Sequence, residues 1–480
     1  MKVPRRVRRV LYLAAGALAA AGGCGGETPA KDALARGFEI PYEVAIDAVA
    51  QNGTPEEQRR FFDDFAWRSF IALNWPALLD SGGVPVRGSP DTQRSVVNVD
   101  GPRVWESWKA AWELFKPKGA EPTEWGKYDP VPGACAKDFS PKAKFLVMAS
   151  KVGSLLDPND LNQAFSGPLI DQQRNYVRYE IRLNQSEYEE IRNKNWYKSL
   201  PDEVSFESTS LLPKPHYGAI EIKACWKELT PMDDASRYYL SESYVLEPGT
   251  PQECRKAKMG LVGFHIAHKI DPFREWVWAT FEHVDNVPGD SPPAAGRKYS
   301  FNNGTDVPKT TDGFEYTPTP GKRPASLKPD KALPPAGDPL RTPVQVTRFT
   351  AVPAATKEVN ARYQKLLSTS PWANYLLVST QWPTVRGGAE FKVNKTFPKD
   401  CDTPFPPNHV ANTTAETYFQ NRGATSCMEC HYQTSNSDFS WMLAIRSLGE
   451  ESGVQMLDFT LTRRGSALMR LKRILEKDQK

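Results

Sequence analysis

Seven short segments rich in β-branched and aromatic residues most constrain how this chain of 480 residues folds. Enrichment of this kind over so few residues is typical of β-strands. The segments predict an antiparallel sheet or sandwich, with strands at residues 145–148, 177–183, 219–225, 238–246, 260–268, 276–282 and 375–381.

Two helices are predicted before most of these strands. Thr54, Pro55 and Glu57 form a capping box with Pro at the first helical position, so a helix is expected to begin there. A second helix is predicted over residues 104–115, where three tryptophans recur at helical spacing. We therefore expect an α+β fold, with a β-rich N-terminal body that has a few helices and a small, mainly helical C-terminal segment.

Composition shifts along the chain predict four regions: a signal peptide (1–23), a linker (24–45), the body (46–400) and the C-terminal segment (401–480). Within the body, residues from about 287 to 343 are rich in Pro, Gly, Lys and Asp and have no hydrophobic period. This composition predicts a long excursion or linker.

The N-terminus has the pattern of an export signal. Four arginines within residues 5–9 precede an apolar run from Val10 to Ala21, which is too short to span a bilayer as a stable helix. The run ends in Ala21-Gly22-Gly23-Cys24, which resembles the lipobox of bacterial lipoproteins, with Ala21 in place of the usual Leu. The resemblance implies lipidation at Cys24, and Gly25 resembles the residue found in lipoproteins sorted to the outer membrane.

Lipidation would attach the protein to the periplasmic face of a bacterial membrane, so a membrane surface would be a partner. Cleavage at the same small residues without lipidation is the alternative, and it would leave a soluble periplasmic protein. Lys and Arg number 61 against 57 Asp and Glu, and this excess of +4 predicts no nucleic-acid partner.

The cysteines agree with an oxidising compartment. Cys24 belongs to the lipobox and two others to the motif described next, which leaves four. An even remainder predicts up to two disulfides, with three connectivities open. We expect Cys225 to pair with Cys254 and Cys135 with Cys401, and buried thiols are the alternative.

The strongest chemical signal is Cys427-Met428-Glu429-Cys430-His431, a CxxCH motif. Two thiols three positions apart on a helical turn can reach the two vinyl groups of one porphyrin, and the following imidazole can ligate its iron. No other cysteines form a second close pair, which disfavours a zinc site.

Around this motif the chain resembles the cytochrome c family. The resemblance covers residues from about 408 to 480 and implies one covalent haem c, with thioether bonds at Cys427 and Cys430 and proximal ligation by His431. Segments 70–77, 263–269 and 278–286 also resemble bacterial exported proteins that end in a single cytochrome c motif. The distal ligand stays open among Met456, Met442 and His409.

One cluster in the body could carry further chemistry: His265, His268 and His283 with Glu282 and Asp285. Residues three apart on a strand point to opposite faces, so His265 and His268 are not expected to share a ligand. If the second strand folds back on the first, one of them could approach His283 beside Glu282 and form a proton-transfer or distal haem site. Structural histidines are the alternative.

Two functions follow from these expectations. The first is electron transfer through the covalent haem to a redox partner protein in the periplasm. The second is a haem-dependent oxidoreductase, peroxidase-like or a substrate dehydrogenase, with catalysis in the body or at an open iron position. The sequence leaves undecided whether the protein is an enzyme.

Overall fold

The computed structural model describes most of the body and parts of the C-terminal segment. The described residues are 37–41, 54–116, 119–131, 133–146, 168–202, 204–210, 216–247, 253–271, 275–289, 296–304, 314–316, 343–348, 350–382, 411–417, 427–432, 434 and 437–446. The predicted signal peptide, Cys24, His409 and Met456 lie outside these residues.

The described residues form six α-helices and fourteen strands. The helices are α1 (Pro55–Leu73), α2 (Ala111–Leu114), α3 (Gln185–Asn193), α4 (Ala354–Leu366), α5 (Cys427–Tyr432) and α6 (Trp441–Arg446). The strands are β1 (Ala77–Leu79), β2 (Pro85–Pro90), β3 (Lys109–Ala110), β4 (Lys144–Leu146), β5 (Arg178–Leu183), β6 (Thr209–Ser210), β7 (His216–Tyr217), β8 (Ile220–Glu228), β9 (Leu240–Glu247), β10 (Glu253–Lys269), β11 (Trp276–His283), β12 (Phe314–Tyr316), β13 (Val344–Val346) and β14 (Tyr375–Gln381).

One mixed sheet of eight strands organises the body. Its order is β14-β11-β10-β8-β5-β3. In addition, β9 pairs with the first half of β10, and β4 pairs with β9. Every pairing is antiparallel except that of β4 with β9. All seven predicted strand segments coincide with strands of this sheet, so the α+β class with a β-rich body is confirmed. The predicted excursion contributes β12, which pairs with β13.

One face of the sheet, the apolar face, packs against α1 and α4. The capping box predicted for α1 is present, with Thr54 accepting from the backbone of Glu57 and Glu57 accepting from the backbone of Thr54. Phe70 of α1 stacks on Phe281 of β11 at 4.4 Å, and both rings are fully buried. Burial of each such ring stabilises the fold by about 1.5–3 kcal/mol.

The opposite face, which we name the C-terminal face, contacts the described parts of residues 401–480. Asn412 Nδ2 donates to Thr280 Oγ1 at 2.9 Å, and Ser440 Oγ donates to Glu221 Oε2 at 2.9 Å. Gly263 makes the close approach possible, because a Cβ there would collide with Thr414 Oγ1. The C-terminal segment therefore lies directly on the sheet.

The predicted helix over residues 104–115 is wrong. The segment forms a short helical turn at Trp105–Ser107, strand β3 and the single-turn helix α2. Trp108 is extended, with φ −68° and ψ 164°, because β3 pairs with Leu183 and Arg182 of β5. Pairing within the sheet outweighs the helical spacing of the tryptophans. Trp105 and Trp108 are nonetheless buried, as a core stripe requires.

The predicted pairing of Cys225 with Cys254 is also wrong. The disulfide joins Cys135 to Cys254, with the Cα atoms 5.0 Å apart, and this excludes the expected bond between Cys135 and Cys401. Cys225 of β8 lies opposite Gly263, nine residues along β10 from Cys254. At about 3.3 Å per residue these positions are roughly 30 Å apart, far beyond the reach of a disulfide.

Candidate functional site

The CxxCH motif lies on helix α5, beside the end of β14 and strand β11 of the sheet. Cys427, Cys430 and His431 are all half-buried, so the two sulfur atoms and the imidazole are partly accessible. The backbone N–H of Met428 donates to Gln381 Oε1 at 2.9 Å, and Trp441 Nε1 donates to the carbonyl of Cys430 at 3.2 Å. These two bonds fasten the motif to the sheet and to α6.

His431 is oriented by a backbone carbonyl. Its Nδ1 lies 2.5 Å from the carbonyl oxygen of Phe439, and since a carbonyl can only accept, Nδ1 carries the proton. In the neutral imidazole the lone pair is then on Nε2. The indole of Trp278 lies 4.1 Å from the imidazole and limits rotation of the ring. Metal-binding histidines commonly donate their second nitrogen to a carbonyl in this way.

The loop that supplies this carbonyl has an unusual backbone. Asp438 and Phe439 have φ of 48° and 65°, a region that residues other than glycine rarely adopt. Asp438 accepts from Lys269 Nζ at 2.7 and 2.8 Å and from the backbone of Phe206 at 2.8 Å. The C-terminal face of the sheet therefore holds the loop, and the loop holds His431.

Burial raises the pKa of Asp438, and the ammonium of Lys269 opposes this effect. Both groups are almost fully inaccessible. Removal of one partner of such a pair would leave an uncompensated charge in the interior. The pair is therefore a strong constraint on the backbone that orients His431.

Of the three predicted distal ligands, only Met442 lies within the described residues. It is 3% exposed in an apolar cluster that also contains Phe439, Leu443 and Trp278. The structure therefore gives Met442 a place in the core beside the loop that orients His431. Its role as a ligand stays a prediction.

The side chains predicted to form one cluster in the body are divided between the two faces of the sheet. Strand β11 does fold back on β10, as expected, but His265 lies opposite Thr280 and His268 opposite Val277. His265 is on the C-terminal face, 3.5 Å from Glu416, whereas the His268 ring packs near Phe65 of α1. The expectation that His265 and His268 point to opposite faces is confirmed.

His283 has a structural role. Its Nε2 donates to the carbonyl of Arg237 at 2.9 Å, its Nδ1 accepts from the backbone of Asp285 at 3.1 Å, and the ring stacks on Tyr238 at 4.0 Å. Burial lowers the pKa of His283 to about 4. A ring with both nitrogens occupied by backbone groups is unsuited to proton transfer.

His268 is buried in the same manner. Its Nε2 lies 2.5 Å from the carbonyl of Tyr217, and burial lowers its pKa to about 4. Within the described residues, no group of three or more His, Cys, Asp or Glu side chains could hold a metal ion. The alternative interpretation of these histidines, as structural residues, is therefore the better one for His268 and His283.

Glu282 fastens the C-terminal segment to the sheet. It is fully buried, pairs with Arg348 Nη2 at 2.6 Å and accepts from both the backbone and the hydroxyl of Thr413 at 2.6 Å. The sequence pointed to Glu282 as a proton-transfer residue, but its contacts are those of an anchor. Residues 411–417, which it holds, precede the CxxCH helix in the chain.

Sequence reasoning missed the residues that orient His431. The backbone of Phe439, the ring of Trp278 and the amide of Gln381 carry no local signal, because each acts through a tertiary contact. Only the position of Trp278 on a predicted strand could have indicated that its side chain faces the C-terminal segment.

No helix among the described residues is long and apolar enough to cross a membrane. The chain was compared with models of protein families, with curated proteins and with solved structures, and nothing in the three sets matches it.

Proposed function

We propose that the protein is an exported c-type cytochrome that carries one covalent haem and transfers electrons to a redox partner protein in the periplasm. The observation that best supports this is the hydrogen bond from His431 Nδ1 to the Phe439 carbonyl. That bond selects the tautomer with its lone pair on Nε2, which is the atom a haem iron would bind.

The chain's own residues fit a covalent haem in two respects. Cys427 and Cys430 lie one helical turn apart and are partly exposed. His431 follows directly and is held by the carbonyl of Phe439 and the ring of Trp278. When bound, the haem would supply an iron that cycles between ferrous and ferric states.

Residues 401–480 are proposed to form the small, mainly helical cytochrome c-like segment. The described helices α5 and α6 support this, as does the packing of both against the sheet. Attachment to the periplasmic face of the membrane through a lipidated Cys24 is part of the proposal and rests on the N-terminal sequence alone.

The first test is covalent haem attachment, assayed by haem stain on denaturing gels after export in a host that matures c-type cytochromes. The wild type should stain, and the C427S/C430S double variant, which has neither thiol for a thioether bond, should lose the stain. C225S is the matched control, because Cys225 is a buried cysteine outside the motif. Equal staining of all the variants, or none in the wild type, would contradict the proposal.

The second test separates electron transfer from catalysis. Optical and electron paramagnetic resonance spectra of the oxidised and reduced protein, with and without carbon monoxide, report the coordination of the iron. Low-spin iron that does not bind carbon monoxide would support electron transfer, with two protein ligands on the iron. High-spin iron that binds carbon monoxide would favour the haem-dependent oxidoreductase.

Variants at Met442 would test the one predicted distal ligand that the structure describes. M442L preserves the volume of the buried side chain and removes the sulfur. If Met442 ligates the iron, M442L should convert it to a form that binds carbon monoxide. An unchanged spectrum would leave Met442 with its core role and direct attention to Met456 and His409.

A further inference from the structure

Helix α3 places a carboxyl group in the interior with no hydrogen-bond partner. Glu187 is 0% exposed, and within the described part of the chain neither of its carboxylate oxygens has a partner. Buried polar groups are nearly always paired, and those that are not call for an explanation such as a redox role. An isolated buried carboxylate would be costly, whereas the neutral acid is tolerated.

Among the described residues Glu187 forms no salt bridge, although Lys223, the partner of Glu221, partly opposes the rise in the pKa of Glu187. Three other acids lie near it, and each has its own lysine: Glu190 with Lys194 at 2.5 Å, Glu221 with Lys223 at 3.2 Å, and Asp438 with Lys269 at 2.7 Å. Burial, with repulsion from Glu221 and Glu190, raises the pKa of Glu187 well above its ordinary value. Glu187 is therefore the member of this group that holds a proton.

The same group supports the loop that orients His431. Asp438 is adjacent to Phe439, whose carbonyl binds His431 Nδ1, and Ser440 donates to Glu221 at 2.9 Å. A change of charge at a metal bound to His431 would act on Glu187 across this group of charges, through an interior of low dielectric. Glu190, one turn further along α3, forms an ion pair with the exposed Lys194 at the surface end of this group.

We propose that Glu187 is a proton-binding site coupled to the redox state of the iron at His431. The inference rests on the proposed haem function. Glu187 carries a proton while the iron is ferrous. When the iron gives one electron to a one-electron acceptor, the O–H bond of Glu187 breaks and its proton leaves for solvent. The added positive charge of the ferric iron is thereby offset by the new carboxylate, and the two equilibria are reciprocal.

The first measurement is the midpoint potential of the haem against pH, with redox mediators, in the full-length holoprotein. Ferric iron lowers the proton affinity of Glu187, so its pKa is lower in the ferric protein than in the ferrous protein. The wild-type midpoint potential should therefore fall as pH rises between these two pKa values. The slope should not exceed about 59 mV per pH unit, the value for one proton per electron. E187Q, which keeps the shape but cannot ionise, should lose this slope.

D171N is the matched control. Asp171 is also fully buried and burial raises its pKa to about 6, but its Oδ1 accepts from the backbone of Gln173 and Asn175. Asp171 lies near Lys227. Lys227 is six residues along β8 from Glu221, and six residues of a strand span about 20 Å. D171N should keep the wild-type slope. A slope retained in E187Q, or lost equally in D171N, would overturn the inference.

The second measurement detects the proton directly. The infrared difference between wild type and E187Q at neutral pH should show a protonated carboxyl band in the ferrous protein, and this band should disappear on oxidation. A missing band, or one unchanged by oxidation, would overturn the inference while leaving covalent haem intact. Failure of the proposed function is distinguishable, because the protein would then have no haem spectrum. That result would refute the redox coupling as well.

Discussion

Glu282→Gln is the change that most directly tests how the C-terminal segment is held on the sheet. The substitution keeps the size of the side chain and removes its charge. Arg348, whose side chain is 7% exposed, would then be a buried cation with no anion among the described residues. Breaking a buried pair in this way costs about 3–5 kcal/mol.

The lost free energy should be seen as easier local opening of residues 411–417. The backbone and hydroxyl of Thr413 both bind Glu282 at 2.6 Å, so the free energy of opening this segment should decrease by that amount. Since every 1.4 kcal/mol is about tenfold, amide exchange in the segment should accelerate roughly 10²- to 10⁴-fold. Hydrogen exchange followed by mass spectrometry on a peptide that contains Thr413 measures this, and it needs no assumption that the whole chain unfolds in one step.

Glu358→Gln is the control. Glu358 pairs with Arg60 at 2.8 Å, but the two side chains are 63% and 44% exposed. A surface pair contributes at most about 1 kcal/mol, so this variant should change exchange by less than about tenfold. If E282Q accelerates exchange no more than E358Q does, Glu282 does not anchor residues 411–417 to the C-terminal face.

Three further predictions concern the fold. The C135S/C254S double variant should lower the free energy of unfolding by about 5 kcal/mol in the chain-entropy account, because the bridge closes a loop of 119 residues; non-reducing peptide mapping that finds Cys225 joined to Cys254 would refute the pairing. G263A should cost about 1–3 kcal/mol through its collision with Thr414 Oγ1, and T414A in the same chain should recover part of it, as urea denaturation would show. The free energy of unfolding should decrease as pH falls from about 6.5 to about 4, because the unfolded chain then binds protons that buried His283 excludes, and H283Q should reduce this slope.

Part of the site could be predicted because its information is local. Helical spacing brings Cys427, Cys430 and His431 to neighbouring positions on one turn, and the structure has a helix there. The capping box at Thr54 and the seven strands are local in the same sense. The helix predicted over residues 104–115 is wrong because the conformation of this segment depends on a tertiary contact, its pairing with β5.

The sequence alone determined seven strands of the main sheet, where α1 begins, and that two thiols and an imidazole share one helical turn, because backbone preferences and side-chain spacing act over a few residues. Tertiary structure decided the partners. The carbonyl of Phe439 reaches His431, Cys135 reaches Cys254, and Glu187 is buried with no hydrogen-bond partner among the described residues, because the order and register of the strands bring together residues distant in the chain. Such contacts depend on which strands become neighbours, and no local pattern in the chain contains that information.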